Sequence, residues 1–71
     1  MKVGDLVKFI DEGTYAKWFF YQFARVESVS CGTEGTRAKV YCRVRWLFPV
    51  KYGDRYTSIS DFSADKFEVC K

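Results

Sequence analysis

The sequence predicts a small, mostly-β domain built as a closed five-stranded barrel, and three observations carry that prediction. Short β-prone segments recur with a turn signal about every ten residues. One segment, residues 38–47, alternates apolar and polar residues strictly. The chain has 71 residues, of which 20% are aromatic. That is one domain's length, and a domain so small buries only about 60% of its unfolded surface, so its core needs large side chains. Closure is the expected solution because a small open sheet leaves its edges exposed. All of residues 1–71 are assigned to one domain.

The elements follow in order. Val3 to Ile10 alternates, with Val3, Asp5, Val7 and Phe9 on one face, and reads as a first strand. Asp11-Glu12-Gly13-Thr14 is a turn signal. Tyr15 to Tyr21 supports two readings. Thr14 is placed to N-cap a short helix, whereas the aromatic run favours extended structure. The reading adopted is a long irregular loop feeding a strand. Phe23 to Ser30 is a second strand, and 31–36, with Gly32 and Gly35, a connecting loop.

In Ala38 to Leu47 one face is Ala38, Val40, Cys42, Val44 and Trp46; the other is Lys39, Tyr41, Arg43 and Arg45. That pattern belongs to an antiparallel strand with one side in the core and one in water. Phe48 to Arg55, with Pro49 and Gly53-Asp54, reads as a connection. Tyr56 to Ser60 is a short fourth strand. Ser60 to Asp65 is one helical turn capped by Ser60, and Lys66 to Cys70 the last strand. The inward set is Val7, Phe9, Val26, Val40, Cys42, Val44, Trp46, Ile59, Phe67 and Val69.

Composition excludes several function classes. The longest apolar run, Trp18-Phe19-Phe20-Tyr21, is far short of the ~18 residues that span a bilayer. Met1-Lys2-Val3-Gly4-Asp5 has no signal-peptide h-region. The expectation is a cytoplasmic, monomeric protein with no membrane association. Cys31, Cys42 and Cys70 make an odd set without a CxxC pair, and there is no His. Free thiols fit this better than a disulfide framework or a zinc site.

Without His, no Ser–His or Cys–His nucleophile pair can be assembled. Asp61 and Asp65 stand four apart on the expected helical turn, but capping and solvation explain them better than paired-acid catalysis. Gly32 and Gly35 lack the following Lys-Ser/Thr of a phosphate loop. The expectation is a nonenzyme without cofactors.

The opening Val3-Gly4-Asp5-Leu6-Val7-Lys8-Phe9 and the closing Ser60-Asp61-Phe62-Ser63-Ala64-Asp65-Lys66-Phe67-Glu68-Val69 resemble the SH3-like small barrels, with their Tudor and KOW relatives. Over its full length the chain also resembles the YorP family of very small bacterial and prophage proteins. That resemblance implies a five-stranded SH3-like barrel with a short helix before the last strand, a cytoplasmic setting and a phage-related origin. It supplies no functional residues. The chain departs from peptide-binding SH3 domains in lacking an acidic, aromatic-flanked loop. Asp11-Glu12 followed by Tyr15 and Trp18 is a faint echo of one.

Two constellations carry direction. Residues 37–56 hold Arg37, Lys39, Arg43, Arg45, Lys51 and Arg55 against Asp54 alone. Lys39, Tyr41, Arg43 and Arg45 share one strand face, and Lys51, Tyr52, Arg55 and Tyr56 follow. Cations interleaved with aromatics suit phosphates and unpaired bases, so Lys39, Tyr41, Arg43, Arg45, Lys51 and Arg55 are a candidate face for nucleic acid or for an acidic protein partner; an ordinary solvated face, neutralised by Glu27 or Glu68, suits them as well. The second constellation is the aromatic run, whose Trp18, Phe19 and Tyr21 are candidate contacts to a protein partner. The alternative is a loop that folds over one end of the core and buries most of them. The functional expectation is a noncatalytic binding module, a phage-related adaptor contacting a protein. A nucleic-acid-binding accessory protein using 37–56 is the alternative.

Overall fold

The computed structural model describes residues 1–35 and 37–70, with Glu34 described in its backbone only. The elements are β1 (Leu6–Phe9), α1 (Ala16–Phe19), β2 (Phe23–Glu34), β3 (Arg37–Tyr52), β4 (Arg55–Ser63), a 3-10 turn (Ala64–Lys66) and β5 (Phe67–Val69). The five strands form one antiparallel sheet in the order β4-β3-β2-β1-β5. No helix among the described residues is long and apolar enough to cross a membrane.

The mainly-β class and the five strands agree with the sequence; closure does not. The sheet ends at β4 and β5, which are not paired with each other. β1 pairs with β2 only at residues 23–25, while β2 and β3 run on as a two-stranded ribbon to the Glu34↔Arg37 pair. β5 has three residues and pairs with β1.

The ribbon also corrects the core. Alternation along β3 continues past the point where anything lies beneath it. Val44 is fully buried, but Val40 is 41% exposed, since it pairs with Cys31 beyond the reach of β1. Ile59 fails for another reason. Arg45 pairs with Ile59 and Val50 with Thr57, so four residues of β3 stand opposite Ser58 alone. This irregularity puts Ile59 on the outer face with Arg45, and brings Ser60 and Phe62 to the inner face with Val44 and Cys42. Pro49 lies within it, consistent with proline's exclusion from regular ladders. The expected connection over 48–55 is therefore strand as far as Tyr52, closed by Gly53-Asp54 with Gly53 at φ 65°. Gly at that first central position suits a two-residue hairpin turn. The loop expected over 31–36 is strand through Glu34, and its Thr36 lies outside the described residues.

Ser60 caps no helix. It lies in β4, where its Oγ accepts a 2.9 Å hydrogen bond from Trp46 Nε1, satisfying the indole donor in the core. The short helix begins only at Ala64, without a side-chain cap. Asp61 and Asp65 consequently sit on a strand and a 3-10 turn.

The remaining core is Val7, Phe9, Phe19, Ala24, Val26, Cys42, Trp46, Val50 and Phe67, with Val69, Trp18, Phe62 and Ala64 packed against it. Phe19, Ala24 and Val50 were not expected there. Phe19 arrives on α1, one helical turn where an irregular loop was expected. The position before α1 is Tyr15 rather than Thr14, and no side chain caps the turn.

Val44→Asp should abolish cooperative thermal unfolding, because it puts an unpaired charge at a site with no solvent access. Val40→Asp should melt within about 0.5 kcal/mol of wild type. Circular dichroism melts of both variants check the register, and equal effects would contradict it.

Candidate binding site

The cations of 37–56 do not form one free patch. Lys39, Tyr41, Arg43 and Arg45 do share the outer face of β3. Arg43, however, grips Asp61 on β4 in a two-pronged pair, Nε to Oδ1 at 2.7 Å and Nη2 to Oδ2 at 3.0 Å. Arg45 is paired through Nε with Oε1 of Glu27 on β2. This pairing resolves a conflict set by the register. Arg25 and Arg45 are direct cross-strand neighbours, and like charges so placed repel. Glu27 takes one guanidinium, and Arg25 donates from Nη1 to the Gly4 carbonyl at 3.1 Å. The Lys39 ammonium lies 5.8 Å from the centre of the Tyr41 ring.

Lys51 and Arg55 lie past the irregularity on opposite faces of the β3–β4 hairpin, Lys51 paired with Tyr56 and Arg55 with Tyr52. Among the described residues neither forms an ion pair.

Asp61's carboxyl is held below the ordinary carboxylate range by its hydrogen bonds from Arg43, which outweigh the opposing desolvation, with the Arg43 charge a lesser contribution in the same direction. The Arg43 guanidinium is raised by the same contact. Cys42 is buried, and that burial, with the Asp61 charge second, pushes its thiol up. Cys31 is exposed and Cys70 half-buried, and all three are free. Among the described residues no three Cys, Asp or Glu side chains are grouped as metal ligands.

The aromatic run is divided. Phe19 is 2% exposed, so it belongs to the core and drops out of the surface set. Trp18 is half-buried, its ring 4.6 Å from that of Tyr52. Tyr21 points elsewhere. It has φ 61°, an uncommon left-handed conformation for a bulky residue. It is held there by its N–H donating to the Phe9 carbonyl, by stacking on Phe20 at 4.3 Å and by the Lys8 ammonium 4.7 Å over its ring. Trp18, Phe19 and Tyr21 therefore make no common patch.

The structure brings together a different set. Tyr15, Phe19, Tyr52 and Phe62 wall an open groove of about 280 Å³, floored on one side by Thr57, Ser60 and Asp61 of β4. The Tyr15 ring lies 5.4 Å from Phe62 in an edge contact and 6.1 Å from Tyr52 in a stacked one. Tyr15 and Tyr52 are each about two-fifths exposed. Part of this was legible: Tyr15, Trp18 and Phe19 have the i, i+3, i+4 spacing of one helical face. Tyr52 and Phe62 carry no such signal, because their facing depends on the β3–β4 irregularity.

Against known proteins, no family model, no curated protein and no solved structure matches the chain. The site must be read from its own chemistry: apolar rings able to take side chains of a ligand, the phenols of Tyr15 and Tyr52, and one carboxylate already partnered.

The Arg43–Asp61 contact sets a pH dependence. A carboxylate whose folded pKa is depressed stabilises the fold above its unfolded value, near ~4, and loses that contribution as pH falls through the folded value. Asp61→Asn should therefore melt below wild type at pH 7, with the two melting temperatures converging in strong acid. A gap unchanged down to about pH 2 would show that the pair contributes nothing through charge.

Proposed function

We propose that the protein is a noncatalytic binding module whose ligand is a protein segment seated in the groove between α1 and the β3–β4 hairpin. The observation that carries this reading is the contrast between the two constellations. The strand cations best placed for phosphates, Arg43 and Arg45, are paired with Asp61 and Glu27, whereas the groove rings Tyr15 and Tyr52 keep open surface. Anchors of this kind, rigid aromatics beside a concavity, dominate binding energy at protein interfaces. The strand order and the 3-10 turn before β5 support an SH3-like architecture left open at one side. With the resemblance to YorP proteins, this points to a phage-related adaptor.

Affinity capture from bacterial lysate, with and without nuclease, tests this. The expected result is a protein retained after nuclease treatment by wild type and not by Tyr15→Ser. The contrary result is retained material that nuclease removes, together with saturable oligonucleotide binding at low salt whose log–log salt slope is about −0.7 per phosphate contact.

A further inference from the structure

We propose that the groove's ligand binds as an added β-strand along the free edge of β4, as an extended peptide with alternate apolar side chains and an acidic residue beside Arg55. This rests on the reading of the groove as a protein-binding site and goes on to name the ligand's conformation and chemistry.

The open sheet supplies the first argument. β4 is nine residues long and, among the described residues, pairs only with β3. In an antiparallel ladder alternate residues turn their N–H and C=O away from the partner strand. Along β4 those groups face no other strand, and among the described residues none is taken up by a backbone bond outside the ladder. One carbonyl, that of Ile59, accepts from Thr57 Oγ1 at 2.9 Å.

The two edges of the sheet differ in a way that matters. Edges are commonly protected by shortness, charge or proline. β5 is protected: it has three residues, flanked by Lys66 and containing Glu68, both in ion pairs. β4 is Arg-Tyr-Thr-Ser-Ile-Ser-Asp-Phe-Ser, rich in β-forming residues, without Pro or Lys. Its acidic residue, Asp61, is turned to Arg43 on β3.

The groove supplies the second argument. Four of its lining residues, Thr57, Ser60, Asp61 and Phe62, belong to β4 itself, and the walls Tyr15, Phe19 and Tyr52 complete it from α1 and β3. A strand laid along the edge would present every second side chain to these rings and the others to water. The third argument is charge. Arg55 opens β4 next to Tyr52 and forms no ion pair among the described residues, while Asp61 further along is already neutralised. A carboxylate on the ligand complements the first and gains nothing from the second.

Selection of a displayed random nonapeptide library on the intact protein, followed by N-methylation of each backbone amide in a synthetic copy of the best binder, tests the proposal. Enriched peptides should alternate apolar residues and carry Asp or Glu at one end, a preference that Arg55→Glu reverses. N-methylation should weaken binding about tenfold at alternate positions and little between them, because only alternate amides face β4. A flat N-methylation profile with binding still lost in Tyr15→Ser would overturn strand addition and leave the groove reading intact. Enrichment of proline-rich peptides, or no enrichment, would overturn it as well. So would a stable dimer paired through β4, which would assign the edge to a second copy of the chain.

Discussion

The groove side of this molecule depends on one inserted ring. Phe19 is carried by a single helical turn too short to be stable alone, and it enters the open side of the sheet to stack on Trp46 at 4.9 Å, with Phe9, Phe62 and Tyr52 at 5.9, 5.4 and 5.6 Å. Without it the unclosed sheet would leave Phe9, Trp46 and Phe62 less covered at that side. The turn that carries Phe19 covers them and, in the same act, places Tyr15 against Tyr52 and Phe62. The groove is a by-product of how the core is sealed.

The surrounding contacts fix that turn rather than build it. Tyr21 N–H donates to Phe9 O and Phe9 N–H to Gln22 O, tying the exit of the loop to β1. Asp11 pairs with Lys66 at 3.3 Å, and Ile10 N–H donates to Lys66 O, tying its entrance to the 3-10 turn. The left-handed backbone at Tyr21 is tolerated because these bonds and the Phe20 stack over-determine it. On the opposite face the charges are arranged locally: Lys8 with Glu68, Arg45 with Glu27 and Arg43 with Asp61 are all cross-strand pairs. Such exposed pairs contribute little individually, but they engage two of the outer-face cations of β3, Arg43 and Arg45, while the groove rings keep open surface.

What could be read from the sequence divides along the same line. Period-two alternation located β3 and the buried Val44 and Trp46, since each depends only on the backbone of its own strand. It overran at Val40, where the strand continues and the core stops. It failed at Ile59 and Ser60, where an irregularity four residues wide reverses the facing, a feature to which Pro49 is only an indirect pointer. The aromatic run supported two readings, a partner surface and a loop folded over the core, and which ring goes inward was settled by tertiary packing around Trp46. The charged strand was legible as a pattern, and its pairing with Glu27 was foreseen as an alternative; the two-pronged Arg43–Asp61 contact was not, because it depends on the β3–β4 register. Tyr52 and Phe62 were read as loop and helical turn, so only the Tyr15 and Phe19 side of the groove had a trace in the pattern.

The central claim is that Phe19 holds α1 on the sheet and thereby makes the groove. Native-state hydrogen exchange by NMR on Phe19→Leu, which keeps an apolar side chain and so a folded protein, measures this most directly. The account predicts that the amides of Phe19 and Phe20, bonded to the carbonyls of Tyr15 and Ala16, lose protection relative to Val44, and that the Tyr15–Phe62 contact disappears from the nuclear Overhauser spectrum. Undiminished protection of those amides relative to Val44, with the Tyr15–Phe62 contact retained, would contradict it.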